Sequence, residues 1–228
     1  MSLIFFSGPL FAGTVQGQVQ LINSHDPKAD KKKDFAGVVV WLKPDDDSSM
    51  RLTRKHAEIL QKDKKFTPHI LAISAGTAVD FPNADPIFHN AFSNFEGQVF
   101  DIGLYPPGSS RSVRFDRPGI VRVFCNIHPS MSAIIVVVDS PYFTKTDDEG
   151  RFSFSNVPPG AYQLHFFHER ATPETLQKLV RSVSVEEGAT QLAAVAISEA
   201  GYLPVGHKNK YGVDYPPVPD EQPSYSVR

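Results

Sequence analysis

The sequence predicts an all-β chain, built as sandwiches of short strands. Three observations predict it. Valine (22) outnumbers leucine (13), and there are 17 phenylalanines against one tryptophan, a bias that suits strands. Glycine and proline contribute 15 and 19 residues, enough for frequent tight turns. Short apolar runs recur with turn signals between them, as in a sandwich or barrel. At 228 residues the chain has room for one large domain or two small ones. A net charge of −2 argues against a nucleic-acid partner. No run approaches the roughly 18 apolar residues of an integral membrane span. The single cysteine excludes internal disulfides and cysteine-rich zinc modules.

Residues 1–24 carry no formally charged side chain. Residues 1–12 read as a signal remnant, which implies a periplasmic or otherwise exported protein, or as a buried N-terminal strand. From Thr14 to Ile22, Val15, Val19 and Leu21 alternate with Gln16, Gln18 and Gln20, which is strand patterning. A charged loop (26–34) leads to the apolar run Gly37–Leu42. These two segments are expected to pair as a hairpin, which needs other strands to bury a core. Residues 44–65 are polar, and their charged runs Asp45–Asp47 and Lys62–Lys65 are expected to be solvated loop faces. Six strands are expected next, over 67–74, 77–82, 98–105, 112–115, 119–125 and 132–139. Ala75-Gly76, residues 83–86 and 106–108, and Pro118-Gly119 separate them.

The pattern restarts after Pro141. Turns at 146–150 and 157–160 each lead into a strand, the second running to His168. Thr172 before Pro173 predicts a short helix over 173–179. Strands near 180–185 and 191–197 follow. Residues 204–228 hold five prolines and are expected to be an extended, poorly ordered tail.

One segment concentrates chemistry. Phe124-Cys-Asn-Ile-His-Pro-Ser-Met131 places a thiol, an imidazole and a thioether at the spacing C-x2-H-x2-M. A second imidazole, His89, lies upstream. Two histidines, one cysteine and one methionine are the donor set of a blue-copper centre: His89, Cys125 and His128 in a trigonal plane, with Met131 as a weak axial ligand. A Cys-His nucleophile is an alternative, but it gives Met131 and His89 no role. Zinc is another, but methionine is a poor zinc ligand. Read singly, each residue also fits ordinary core filling. His25, His56, His69 and His207 have no partner motif and read as surface or loop residues. His165 and His168 should point to opposite faces of a strand.

The stretch 66–139 resembles a cupredoxin of the plastocyanin/azurin class. Its short C-x2-H-x2-M loop is similar to that of amicyanin. His89-Asn90 matches the family's first ligand and the neighbouring asparagine that ties the two ligand loops, so Asn90 is expected to support the metal from behind its ligands. A wider match is to plastocyanin-like proteins often labelled methylamine utilisation proteins, though Pro129-Ser130 replaces the Asp-Trp pair of that group. Residues 146–154 and 159–164 look like the second half of a carboxypeptidase regulatory-like (transthyretin-like) β-sandwich. Gly13–Val19 and Ala36–Leu42 look like its first half. The resemblance implies a split layout. Residues 13–50 and 140–203 would form the regulatory-like sandwich, and 51–139 a Greek-key cupredoxin domain inserted within it, with 204–228 as the tail. It implies one type 1 copper that carries single electrons between redox protein partners, and no enzyme activity. His128, flanked by Pro129 and Phe88, would be the exit point. The rival expectation is a copper carrier, or a metal-free binding or adhesion module of the cell envelope.

Overall fold

The computed structural model describes residues 12–24, 34–46, 55–94, 97–202 and 206–215. The signal-remnant reading, His25 and nearly all of the charged loop fall outside them. Among the described residues the protein is all-β except for one short helix, α1 (Pro173–Lys178). The side chain of Thr172 caps it by accepting from the Thr175 N–H, with Pro173 in the first turn.

Strands β1 (Gly13–Ile22) and β2 (Val39–Pro44) do not form the expected hairpin. β1 pairs with β14 (Arg151–Val157), β17 (Ala189–Gln191) and β18 (Val195–Ser198). β2 lies between β13 (Tyr142–Lys145) and β15 (Gly160–Phe167), and β16 (Arg181–Val185) lies outside β15. The reason is packing. Val15 and Val19 of β1 meet Leu42 and Val40 of β2 in one core, with Phe152, Phe154, Leu164 and Ile197. The two strands therefore face each other across a sandwich. Both pair with strands after residue 141, so residues 13–44 and 142–198 share this sandwich.

The strands between residues 56 and 138 form a second sandwich. One sheet runs β6 (Ile70–Ser74), β12 (Ser132–Val138), β11 (Gly119–Phe124), β8 (Phe92–Ser93) and β9 (Phe100–Asp101). The other runs β10 (Ser110–Phe115), β7 (Thr77–Pro82) and β3 (His56–Glu58), and a hairpin of β4 (Leu60–Lys62) and β5 (Lys65–Thr67) lies alongside. The run Lys62–Lys65 is exposed, as expected from its charge, but it belongs to the β4–β5 hairpin, and Ile59 and Gln61 before it are fully buried. The strand expected over 98–105 shortens to Phe100–Asp101, with an isolated bridge between Tyr105 and His89.

β12 explains how the sandwiches meet. Its run Ser-Ala-Ile-Ile-Val-Val-Val shows no alternation and is buried from Ala133 onward, as expected for a strand covered on both faces. Ala133, Ile135 and Val137 enter the second core. Ile134, Val136 and Val138 point the other way, onto Val39, Trp41, Phe143 and Phe167 of the first sandwich. A third apolar layer therefore joins the two units. Polar contacts flank it: Ser140 donates to Leu42 O, and His69 pairs with Glu169 at 2.7 Å.

Candidate metal centre

Cys125 follows directly on β11, and β12 begins directly after Met131. The seven residues from Cys125 to Met131 therefore connect neighbouring antiparallel strands. Two backbone bonds close this loop: the Cys125 N–H donates to Met131 O (3.2 Å), and the Met131 N–H donates to His128 O (3.0 Å). His89 reaches the loop from the segment before β8, the strand that pairs with β11 at Phe124. Its backbone exchanges two hydrogen bonds with Tyr105, at 3.2 and 2.9 Å.

The result is a tight cluster. Cys125 Sγ lies 3.9 Å from His89 Nδ1 and 3.7 Å from His128 Nδ1. All three donor atoms fall within 4.8 Å of one another. A first-row ion sits about 2.0–2.3 Å from imidazole nitrogen and thiolate sulfur. Three donors in one plane around it are then about 3.5–4 Å apart, close to the observed spacing. His89 and Cys125 are fully buried, whereas His128 is partly exposed. Burial, the largest cause, lowers the pKa of the His128 imidazole below its ordinary value, with a contribution from Lys64. Met131, at the other end of the loop, is fully buried in the same core.

Asn90 joins the segments that carry His89 and Cys125. Its Oδ1 accepts from the Asn126 N–H (3.0 Å), and its Nδ2 donates to Asp101 (2.7 Å). Two further supports carry no motif in the sequence. The first is Asp85, whose Oδ2 accepts from His89 Nε2 at 2.7 Å. Burial alone would raise the Asp85 carboxyl, but hydrogen bonds from the Lys64 N–H, His89 and the Asp63 N–H outweigh it and hold the pKa low.

The second support corrects the expectation of a disordered tail. Residues 206–215 lie against the ligand loop. The His207 ring stacks on Phe124 (centroids 3.9 Å apart, planes at 20°), and its Nε2 donates to Pro129 O (2.7 Å). The Lys210 N–H donates to Asn126 Oδ1 (3.0 Å), and Lys210 Nζ pairs with Asp101 (2.8 Å). The Tyr215 hydroxyl donates to Cys125 O (2.8 Å). Burial, with a smaller contribution from Cys125, pushes that phenol up to about 12, so it remains a donor. His207 is therefore no idle surface histidine. The other histidines lie elsewhere: His56 against Asp80, His165 stacked on Trp41, and His168 paired with Glu199. Phe88 and Ile127, the residues before His89 and His128, and Leu104, the residue before Tyr105, are apolar and exposed.

No protein-family model matches the chain, and no curated protein matches it. Among solved structures, a purple cupredoxin from Nitrosopumilus maritimus is similar at 24% identity over 36% of this chain and 99% of its own, with a TM-score of 0.33. A copper-containing nitrite reductase from Thermus scotoductus is similar at 23% identity over 53% of this chain, with a TM-score of 0.36; the match spans 28% of that protein. A reduced amicyanin variant is similar at 19% identity over 36% of this chain and 82% of its own, with a TM-score of 0.34.

Proposed function

We propose that this chain is a type 1 copper protein that carries single electrons between redox partners. The observation that carries the reading is the convergence of one buried thiol and two imidazole Nδ1 atoms at 3.7–3.9 Å. A thiolate with two imidazoles and a buried thioether nearby is a mixed donor set that suits both copper oxidation states. His89, Cys125 and His128 would hold the ion, with the thioether of Met131 as a weaker donor. Copper supplies the one-electron couple. The chain fixes the donors in place and buries them except at one edge. That edge is the partly exposed His128, and the exposed apolar Phe88 and Ile127 next to the two histidines in sequence suit the small, transient contact that electron-transfer partners make. We read the sandwich of residues 56–138 as a cupredoxin inserted in a carboxypeptidase regulatory-like sandwich, and the protein as periplasmic or otherwise exported and not an enzyme. Potentiometric titration tests the function. The copper-loaded protein should show one reversible one-electron couple over repeated cycles without losing metal. A carrier would instead release copper on reduction, and an adhesion module would not bind it.

A further inference from the structure

We infer that Asp85 is the residue that positions His89 for the metal and biases the site toward its oxidised state. The inference rests on the copper reading above and adds a role that no ligand motif contains.

The two nitrogens of His89 have separate tasks. Nε2 is 2.7 Å from Asp85 Oδ2, and Nδ1 faces Cys125 Sγ at 3.9 Å. A carboxylate accepts and never donates when ionised. The ring proton is therefore held on Nε2, and Nδ1 is left with its lone pair toward the cluster. The alternative tautomer would place a proton where the ion must sit.

Asp85 is itself fixed. The tip of the β4–β5 hairpin aims two backbone N–H groups at it: Asp63 N to Oδ1 (2.6 Å) and Lys64 N to Oδ2 (2.9 Å). Asp63 and Lys64 both have positive φ, 55° and 53°, the two-residue conformation that matches a hairpin's twist. The Asp85 N–H also donates to Asn83 Oδ1 (3.1 Å). Three anchors thus hold a nearly buried carboxylate on a fully buried imidazole.

The electrostatic consequence follows from charge. Cu(II) carries one more positive charge than Cu(I). A buried anion, hydrogen-bonded through one ligand, therefore stabilises the oxidised ion more. It also raises the basicity of the ring, as carboxylate partners of metal-bound histidines do. The ammonium of Lys64 opposes this effect, but it is common to all the variants compared below.

The test is Asp85→Asn, with Asp85→Glu as the charge-retaining control, in the full chain. Loss of such a partner typically costs about 10–100-fold in metal affinity. We expect Asp85→Asn to keep the thiolate–copper colour, to bind Cu(II) about 10-fold more weakly with Cu(I) affinity nearly unchanged, and so to raise the potential by about 59 mV. Asp85→Glu should restore most of the shift. A second readout needs no copper. Nitrogen NMR of the metal-free wild type should show His89 protonated at Nε2, with that proton slow to exchange, and Asp85→Asn should speed the exchange. An unchanged potential in a coloured Asp85→Asn protein would overturn the inference, as would a metal-free His89 protonated at Nδ1. If Asp85→Asn fails to fold, the wild-type tautomer alone decides. A correct tautomer in a protein that never turns blue or green would leave the positioning role standing and remove the copper reading instead.

Discussion

Cys125, His89, His128 and Met131 differ in what their loss should do, because they differ in burial and bond strength. An axial thioether is the weakest donor of the set. Met131→Leu should therefore keep copper and its colour while raising the potential, as read by voltammetry; complete loss of binding would show that Met131 anchors the ion. A second residue-scale prediction lies far from the metal. Burial alone would raise Glu199, but hydrogen bonds from Arg170, Ser24 and His168 outweigh it and bring its pKa from 4.5 down to about 2. A depressed carboxyl stabilises the fold above its unfolded value, and that stability is lost as pH falls through the folded one. The urea midpoint should thus fall as pH drops from 4.5 toward 2, and Glu199→Gln should flatten that fall. That Cys125, His128 and Met131 share one loop was legible because they lie within seven residues, and their donor types have few other joint uses. Asp85 was not, since Ala-Asp-Pro reads equally well as a turn, and only the fold brings it under His89.

At the scale of elements, the ligand loop is closed by its own backbone and then strapped by residues 206–215. Composition hid this strap: prolines and few aliphatics describe a tail, while its contacts depend on one ring stack and four polar bonds to residues some 80–110 positions away. Deleting residues 206–228 should leave copper bound but speed its loss to a chelator and the amide exchange of residues 125–131. Unchanged rates would mean the strap rests on the loop without restraining it. The hairpin expected at the start of the chain was misread for a related reason. Alternation in 14–22 marks a strand with one buried face but does not say which strand lies beside it. The structure puts Gly150 against β1 instead, at φ +77°, where a Cβ would lie 2.0 Å from Val19 O. Gly150→Ala should destabilise the fold by about 2 kcal/mol or more, measured by urea unfolding.

Across the whole molecule, two sandwiches share an apolar layer. From sequence, 132–139 was expected only as one strand among six; that both its faces are buried, and by what, is settled by tertiary packing. The shared layer predicts coupled unfolding. Trp41 is the one tryptophan and lies in that layer, stacked on His165 at 5.0 Å, so its fluorescence reports on the joint. Ile134→Ala, which hollows the layer from the side of the sandwich that carries Cys125, should cost about 2–5 kcal/mol. It should also shift Trp41 fluorescence and far-ultraviolet circular dichroism in a single transition. Two separated transitions would mean that the layer joins the sandwiches without coupling them.

The central claim is that the buried thiol and two imidazoles hold copper as one type 1 centre. Visible and EPR spectroscopy after adding one equivalent of Cu(II) tests it most directly. The account predicts an intense blue or green thiolate-to-copper band with a compressed copper hyperfine splitting, both absent in Cys125→Ser. A colourless protein with ordinary tetragonal Cu(II) spectra, unchanged by Cys125→Ser, would contradict it.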